Sequence, residues 1–340
     1  MNKIACMMRH CLFLCLLLTT LSAAMAVEPA APLTAAQSRP RIYANLEYAS
    51  VGLHSMRMDL YVPPGAKSPP PVVIYIHGGD WMYGNRRRPR VLFLLERGFA
   101  VASIDYRLAP RFAFPTQIRD CRDAVAFLRA NAPRYRIDPA RIGVCGESAG
   151  GHLAALLGTA PDEKQFFGTR RGKLDCRVQA VCAISGPMDI EYLGGLADMV
   201  QDVIGKHPIQ QLLGGTVDQK RDLARLASPI RHVGPDDPPF LLVIGQKDWV
   251  VPPILGRQMH QALLDAGVRS ELHEIPEMGH DMQAIWTDQT RTWVGDFFVQ
   301  NLIDPPPTTQ PTTRAVPKAN ALHDVDGPAG QNHDDRQRDQ

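Results

Sequence analysis

The chain has no H-E-x-x-H stretch and no cluster of cysteine and histidine at ligand spacing, which excludes the common zinc-site patterns and leaves no sequence argument for a metal. An excess of one charge is missing too. The chain has 37 basic and 35 acidic residues. Near-neutrality of this kind argues against nucleic acid as a partner. Aromatic residues are absent from the last 37 residues, 304–340, which open on the Pro/Thr-rich run Asp304 to Thr313. Such a segment cannot bury enough apolar surface to offset its ordering entropy, so 304–340 is expected to be a disordered tail. The apolar run from Cys11 to Leu18 falls short of the roughly 20 residues a membrane span requires.

What stands at the N-terminus is a secretory leader pattern. Basic Lys3 and Arg9 precede that apolar run, and Ala24-Met25-Ala26 supplies a small-x-small cleavage site. Cleavage after Ala26 would deliver a secreted or periplasmic product with no stable membrane insertion. Phe13 and Leu14 are too bulky to precede a lipidated Cys15. Lys3 and Arg9 leave with residues 1–26, so the mature chain is balanced. Of the seven cysteines, Cys121, Cys145, Cys176 and Cys182 remain. Export permits disulfides, but four cysteines allow three complete pairings and the sequence does not choose. Cys176 and Cys182 are the one pair close in sequence, while Cys145 and Cys182 lie in apolar runs that favour buried thiols.

Residues 27–40 read as a linker and 41–303 as one domain. Residues 54–62 alternate, with Met56, Met58, Leu60 and Val62 on one face, as in an antiparallel leading strand. Val72 to Ile76, residues 100–105, Ile142 to Cys145 and Phe240 to Ile244 are short apolar runs, each the pattern of a strand covered on both faces. A helix ending near Gly98 should precede the second of these, and Arg86-Arg87-Arg88 reads as a solvated helix start. Pro115 opens a helix whose Ile118, Cys121, Val125 and Leu128 share a stripe. Strand-helix-strand repetition predicts an α/β fold, with a mostly parallel central sheet and helices on both faces. Residues 190–237 contain no strand-like run and are expected to form a small helical insertion over the rim.

Gly146-Glu147-Ser148-Ala149-Gly150 carries the most information, because it joins an apolar strand to the helical run beginning Gly151-His152-Leu153. A sharp strand-to-helix turn lifts a hydroxyl above the sheet, and glycines on either side avoid a clash as the backbones converge. Val72 to Ile76 runs directly into His77-Gly78-Gly79-Asp80-Trp81. Phe240 to Ile244 ends in Gly245-Gln246-Lys247-Asp248, which puts an acid on the rim where open α/β sheets hold their chemistry. Gly279-His280 follows 32 residues after that acid. Asp189, Asp105 and Asp120 are rival acids, of which Asp189, just past a strand end, is the most serious. Asp105 is expected to brace its loop with Arg107, His77 to hydrogen-bond within its own turn, and Glu147 to be a structural partner.

With H-G-G-x-W at 77–81, Asp105 to Pro110, G-E-S-A-G-G at 146–151, Asp248 and Gly279-His280, the chain resembles the α/β-hydrolase superfamily over about residues 41–303. Within it, the chain is similar to hormone-sensitive-lipase-like esterases and their BD-FAE and kynurenine formamidase relatives. The resemblance implies an α/β-hydrolase fold and a serine hydrolase that cleaves carboxylic esters, free or linked to polysaccharide, with no cofactor. It implies Ser148 as nucleophile, His280 as base and Asp248 as the orienting acid. The backbone amides of Gly79, Asp80 and Ala149, with Gly78 as a further candidate, would form the oxyanion hole, and Trp81 would contact substrate. Many such esterases have a third glycine where this chain has Asp80. Two other readings follow from the same residues: an arylformamidase, or a catalytically silent binding protein on this fold.

Overall fold

The apolar runs pair as one sheet in the computed structural model, which describes residues 39–168, 175–199 and 207–305. The strands are β1 (Arg41–Val51), β2 (His54–Val62), β3 (Val72–Ile76), β4 (Ala100–Ile104), β5 (Ile142–Glu147), β6 (Ala180–Ile184), β7 (Phe240–Gly245) and β8 (Ser270–Ile275). Their spatial order is β1-β2-β4-β3-β5-β6-β7-β8. β2 pairs antiparallel with β1 and β4, and every other pairing is parallel. The strands β3 to β7 are buried at every residue, which is why they read as continuous apolar runs.

Helices cover both faces. α1 (Thr116–Ala130), α2 (Ala149–Thr159) and α6 (Pro253–Asp265) pack with Met58, Leu60, Ile74 and Val144 on one side. α7 (Asp288–Phe298) lies on the other, burying Val294, Phe297 and Phe298 against Val73, Cys145 and Val243. Each such apolar side chain taken from water is worth about 1.5–3 kcal/mol. The α1 stripe of Ile118, Cys121, Val125 and Leu128 is fully buried, as its spacing requires. The chain between β6 and β7 carries α3 (Ile190–Asp198), α4 (Pro208–Leu213) and α5 (Arg221–Leu226).

Three local expectations are corrected. The segment before β4 holds a single 3-10 turn, Leu92–Leu95, where an α-helix was expected. Arg86 starts no helix: it is buried, with its guanidinium against Asp59 and Asp105. Arg107 consequently pairs not with Asp105 but with Asp120 of α1, through Nε at 2.9 Å and its own backbone N–H at 2.9 Å. None of the four cysteines named above is in a disulfide, so Cys176 and Cys182 are not bridged. Cys145 and Cys182 instead sit opposite each other in the β5–β6 register, both buried. Among the described residues, no helix is long and apolar enough to cross a membrane. The leader at 1–26, nearly all of the linker and the tail beyond Pro305 lie outside the described residues.

Candidate active site

β5 delivers its last residue, Glu147, directly into Ser148, and α2 begins at Ala149. Ser148 has φ 51° and ψ −121°. That left-handed conformation costs a non-glycine residue about 1–3 kcal/mol and persists only where the surroundings enforce it. Here they do. A Cβ on Gly146 would overlap the Gly150 carbonyl, and one on Gly150 would overlap the carbonyl of Ile76 in β3. The Ser148 N–H is held by Ile184 O of β6 at 2.8 Å. Both flanking glycines are therefore demanded by backbone approach, and the serine hydroxyl is raised where the strands end.

Two other loops meet it. Ser148 Oγ is 2.9 Å from His280 Nε2, and His280 Nδ1 is 2.7 Å from Asp248 Oδ2. Asp248 is 3% exposed, and its other oxygen accepts the backbone N–H groups of Val250 at 3.0 Å and Val251 at 2.8 Å. A carboxylate fixed this way holds the proton on Nδ1 and leaves Nε2 free to accept the serine proton. The acid and histidine loops are tied by main chain, Lys247 N–H to Met278 O at 2.8 Å and Gln246 N–H to Ile275 O at 3.0 Å. The relative placement of the two side chains thus depends on backbone rather than on their own flexibility.

The loop after β3 lies against the nucleophile. A Cβ on Gly78 would be 3.3 Å from Ser148 Cβ. The chain then turns through three positive φ values, 108° at Gly79, 55° at Asp80 and 60° at Trp81, with Gly79 O accepting Met82 N–H and Tyr83 N–H. The left-handed backbone at 80 explains why a glycine suits this position, and aspartate is among the few residues that tolerate it. The half-buried Asp80 carboxylate lies within electrostatic reach of Tyr106 and His207. Ala149 is the first residue of α2, so its amide belongs to the unpaired N-terminal turn that favours negative charge. Gly78 and Ala149 thus lie on either side of Ser148, with Gly79 and Asp80 continuing the loop that begins at Gly78.

Trp81 differs from its expected role. The turn at 80–81 drives the indole inward to 4% exposure, where Nε1–H donates to His152 Nδ1 at 3.1 Å. Trp81 braces the loop from behind. His152 lies on α2 and also meets Ala227 O through Nε2 at 2.6 Å. Burial pushes this imidazole down to about 4, so it is a neutral clamp joining three segments. Its bridging role had no signal in the sequence beyond proximity to Ser148. His77 behaves as its turn position implies, with Nδ1 2.8 Å from Gly78 O and its ring stacked 4.4 Å from Tyr106. Burial holds its imidazole below the ordinary value. Tyr106 also donates to His77 O at 3.0 Å.

The rival acids have other work. Asp189 caps α3 through Tyr192 N–H at 2.9 Å, Asp105 and Asp120 hold arginines, and Glu147 accepts Trp286 Nε1–H at 2.8 Å. Burial raises the Glu147 carboxyl above its ordinary range. Trp286 was not singled out in the sequence, because nothing in its neighbourhood points to a partner 139 residues away.

Known esterases resemble this chain in sequence and in fold. The esterase LipC of Mycobacterium tuberculosis is 34% identical over 234 residues, which are 66% of this chain and 55% of that protein. The chain spans about half the length of the curated relatives it matches. A solved truncated carbohydrate esterase from gut microbiota is 29% identical, with a TM-score of 0.69 covering 80% of this chain and 99% of that one. The esterase Est2 of Thermogutta terrifontis with propionate bound shares the fold at 22% identity, with a TM-score of 0.63 over 76% of this chain and 93% of that one. The BD-FAE family model matches residues 58–263, more than half of the chain and every strand from β3 to β7, and the protein is therefore a member of the BD-FAE family within the α/β-hydrolases.

Proposed function

We propose that the protein is an exported serine carboxylesterase that works through an acyl-enzyme on Ser148. The observation that carries this reading is the unbroken hydrogen-bond chain from Ser148 Oγ through His280 to Asp248, at 2.9 and 2.7 Å. As Ser148 Oγ attacks an ester carbonyl, His280 Nε2 takes its proton and Asp248 stabilises the resulting imidazolium. The carbonyl oxygen becomes an oxyanion, met by the amides of Ala149 and of Gly79 and Asp80, with Gly78 beside them. His280 then returns the proton to the alkoxide, and alcohol leaves. Water, deprotonated by the same imidazole, attacks the acyl carbon, and Ser148 departs with the proton.

The substrate class is a short-chain acyl ester, with acetyl or feruloyl groups on polysaccharide as the specific candidates. Support comes from the carbohydrate esterase, whose chain is matched almost end to end. Export rests on the leader pattern of Lys3, Arg9 and Ala24-Met25-Ala26, and a mature N-terminus at Val27 in the exported protein would check it. The decisive experiment is Ser148→Ala with a short p-nitrophenyl ester and a fluorophosphonate probe. Turnover and labelling should both vanish while the thermal midpoint stays within a few degrees; retained turnover overturns the reading.

A further inference from the structure

Four arginines stand within five residues on the loop after the oxyanion turn, and they divide sharply. Arg86 points inward to Asp59 and Asp105, and its carbonyl accepts Ser103 Oγ–H at 2.7 Å. Pro89 is buried as well. With 86 and 89 anchored inward, Arg87, Arg88 and Arg90 are exposed, and among the described residues none has a carboxylate within 4.0 Å. These three side chains line one cleft of about 560 Å³. Its other wall is Gly78 and Gly79 of the oxyanion loop, with Glu147 and Met282, the immediate neighbours of the nucleophile and of the histidine loop.

The only carboxylate lining this cleft cannot neutralise three guanidiniums. Glu147 is 7% exposed and already accepts hydrogen bonds from Trp286 and Tyr75. Asp281 lies outside the lining, within electrostatic reach of Arg90, and its Oδ1 accepts the N–H groups of Gln283 and Ala284. Three exposed guanidiniums on a loop anchored at Arg86 and Pro89 share a cavity with Gly78 and Gly79, and together they favour an anion there. The planar fork of arginine matches the two oxygens of a carboxylate through paired N–H donors.

We propose that this cleft is a subsite for a carboxylate carried by the ester substrate, so that the enzyme selects anionic esters over neutral ones. The assignment rests on the esterase reading above and narrows its substrate class. The carboxylate has two chemical sources: the acyl side, as in the half-ester of a dicarboxylic acid, or the alcohol side, as in an acylated uronic acid.

Steady-state kinetics of the full chain on p-nitrophenyl acetate, p-nitrophenyl hemisuccinate and an O-acetylated glucuronic acid separate these sources. In the combined R87Q/R88Q/R90Q variant, all at exposed positions, kcat/KM for at least one anionic ester should fall about tenfold relative to the acetate, mainly through KM. Raising salt from about 20 mM to about 500 mM should erode the same preference in the wild type and not in the variant. An unchanged ratio for both anionic esters overturns the subsite and leaves the esterase intact. If the wild type turns over no ester, the functional reading fails separately. Calorimetric titration with succinate and glucuronate then decides the cleft: binding lost in the variant supports it, while equal or absent binding overturns it.

Discussion

The rim loops that carry the triad and the segment between β6 and β7 are held by different means. The triad loops are joined through main chain: Ser148 N–H to Ile184 O, Lys247 N–H to Met278 O, Gln246 N–H to Ile275 O. The segment between β6 and β7 has main-chain ties as well, Phe114 N–H to Leu212 O and Ile230 N–H to Met188 O, and adds a set of side-chain ties to them. His152 meets Ala227 O, Ser228 Oγ receives Ile190 N–H at 2.9 Å and donates to Ala224 O at 2.8 Å, and Asp189 caps α3. Main-chain ties survive substitution of the residues that make them, so reaction geometry is stable to sequence change. Side-chain ties do not, which leaves the segment between β6 and β7 freer to be reshaped.

The widest separation of the two regions should come from their aspartates. Asp248→Asn keeps the shape but leaves His280 in the wrong tautomer, and kcat should fall by up to about 10⁴. Asp189→Asn should leave kcat within about threefold, since asparagine caps a helix as well as aspartate does. Rapid-quench or steady-state rates on the same ester would decide. The reverse outcome would hand the acid's role to Asp189.

A smaller effect should appear in stability against pH. His152 uses both ring nitrogens while neutral, donating to Ala227 O and accepting from Trp81. Protonation would set two N–H groups against each other. Its folded value of about 4 lies below the ordinary 6.5. The unfolded chain therefore binds the proton first as pH drops. This contribution is complete above about pH 6.5 and is lost as pH falls toward about 4, by about 1.4 kcal/mol per pH unit and about 3 kcal/mol in all. Urea midpoints of wild type and His152→Gln, compared across that window, should show the slope reduced in the variant. Equal slopes would remove the clamp from the account.

Legibility in the sequence follows the same division. The strands β3 to β7 were readable because burial on both faces forces an uninterrupted apolar run. The turn at 146–150 was readable because backbone approach at Gly146 and Gly150 excludes any side chain. The partners of arginines were not: Arg86 belongs to a hydrophilic run of three, and only the convergence of β2 and β4 reveals that Asp59 and Asp105 surround it. The inward turn of Trp81 was hidden for a related reason. An indole after two glycines looks available to substrate until the positive φ at 80 and 81 sets its direction. Long-range polar pairing has no sequence period, so its members are visible as residues and invisible as pairs.

The smallest expected effect tests whether the segment between β6 and β7 tunes selectivity without touching the chemistry. Asp189→Ala removes the acceptor for Tyr192 N–H and one partner of Ser228 Oγ, which lies 3.3 Å away. Loss of a helix N-cap costs about 1 kcal/mol, too little to unfold a domain of this size. α3 would fray at its first turn, where Tyr192 and Leu196 are exposed on the same face one turn apart. Since neither Ser148 nor the loops bearing Asp248 and His280 depend on that turn, kcat for an acetyl ester should hold while the ratio of butyryl to acetyl kcat/KM shifts a few-fold. A uniform loss across acyl lengths would instead mean that α3 supports the triad itself, and the contrast between the two regions would not stand.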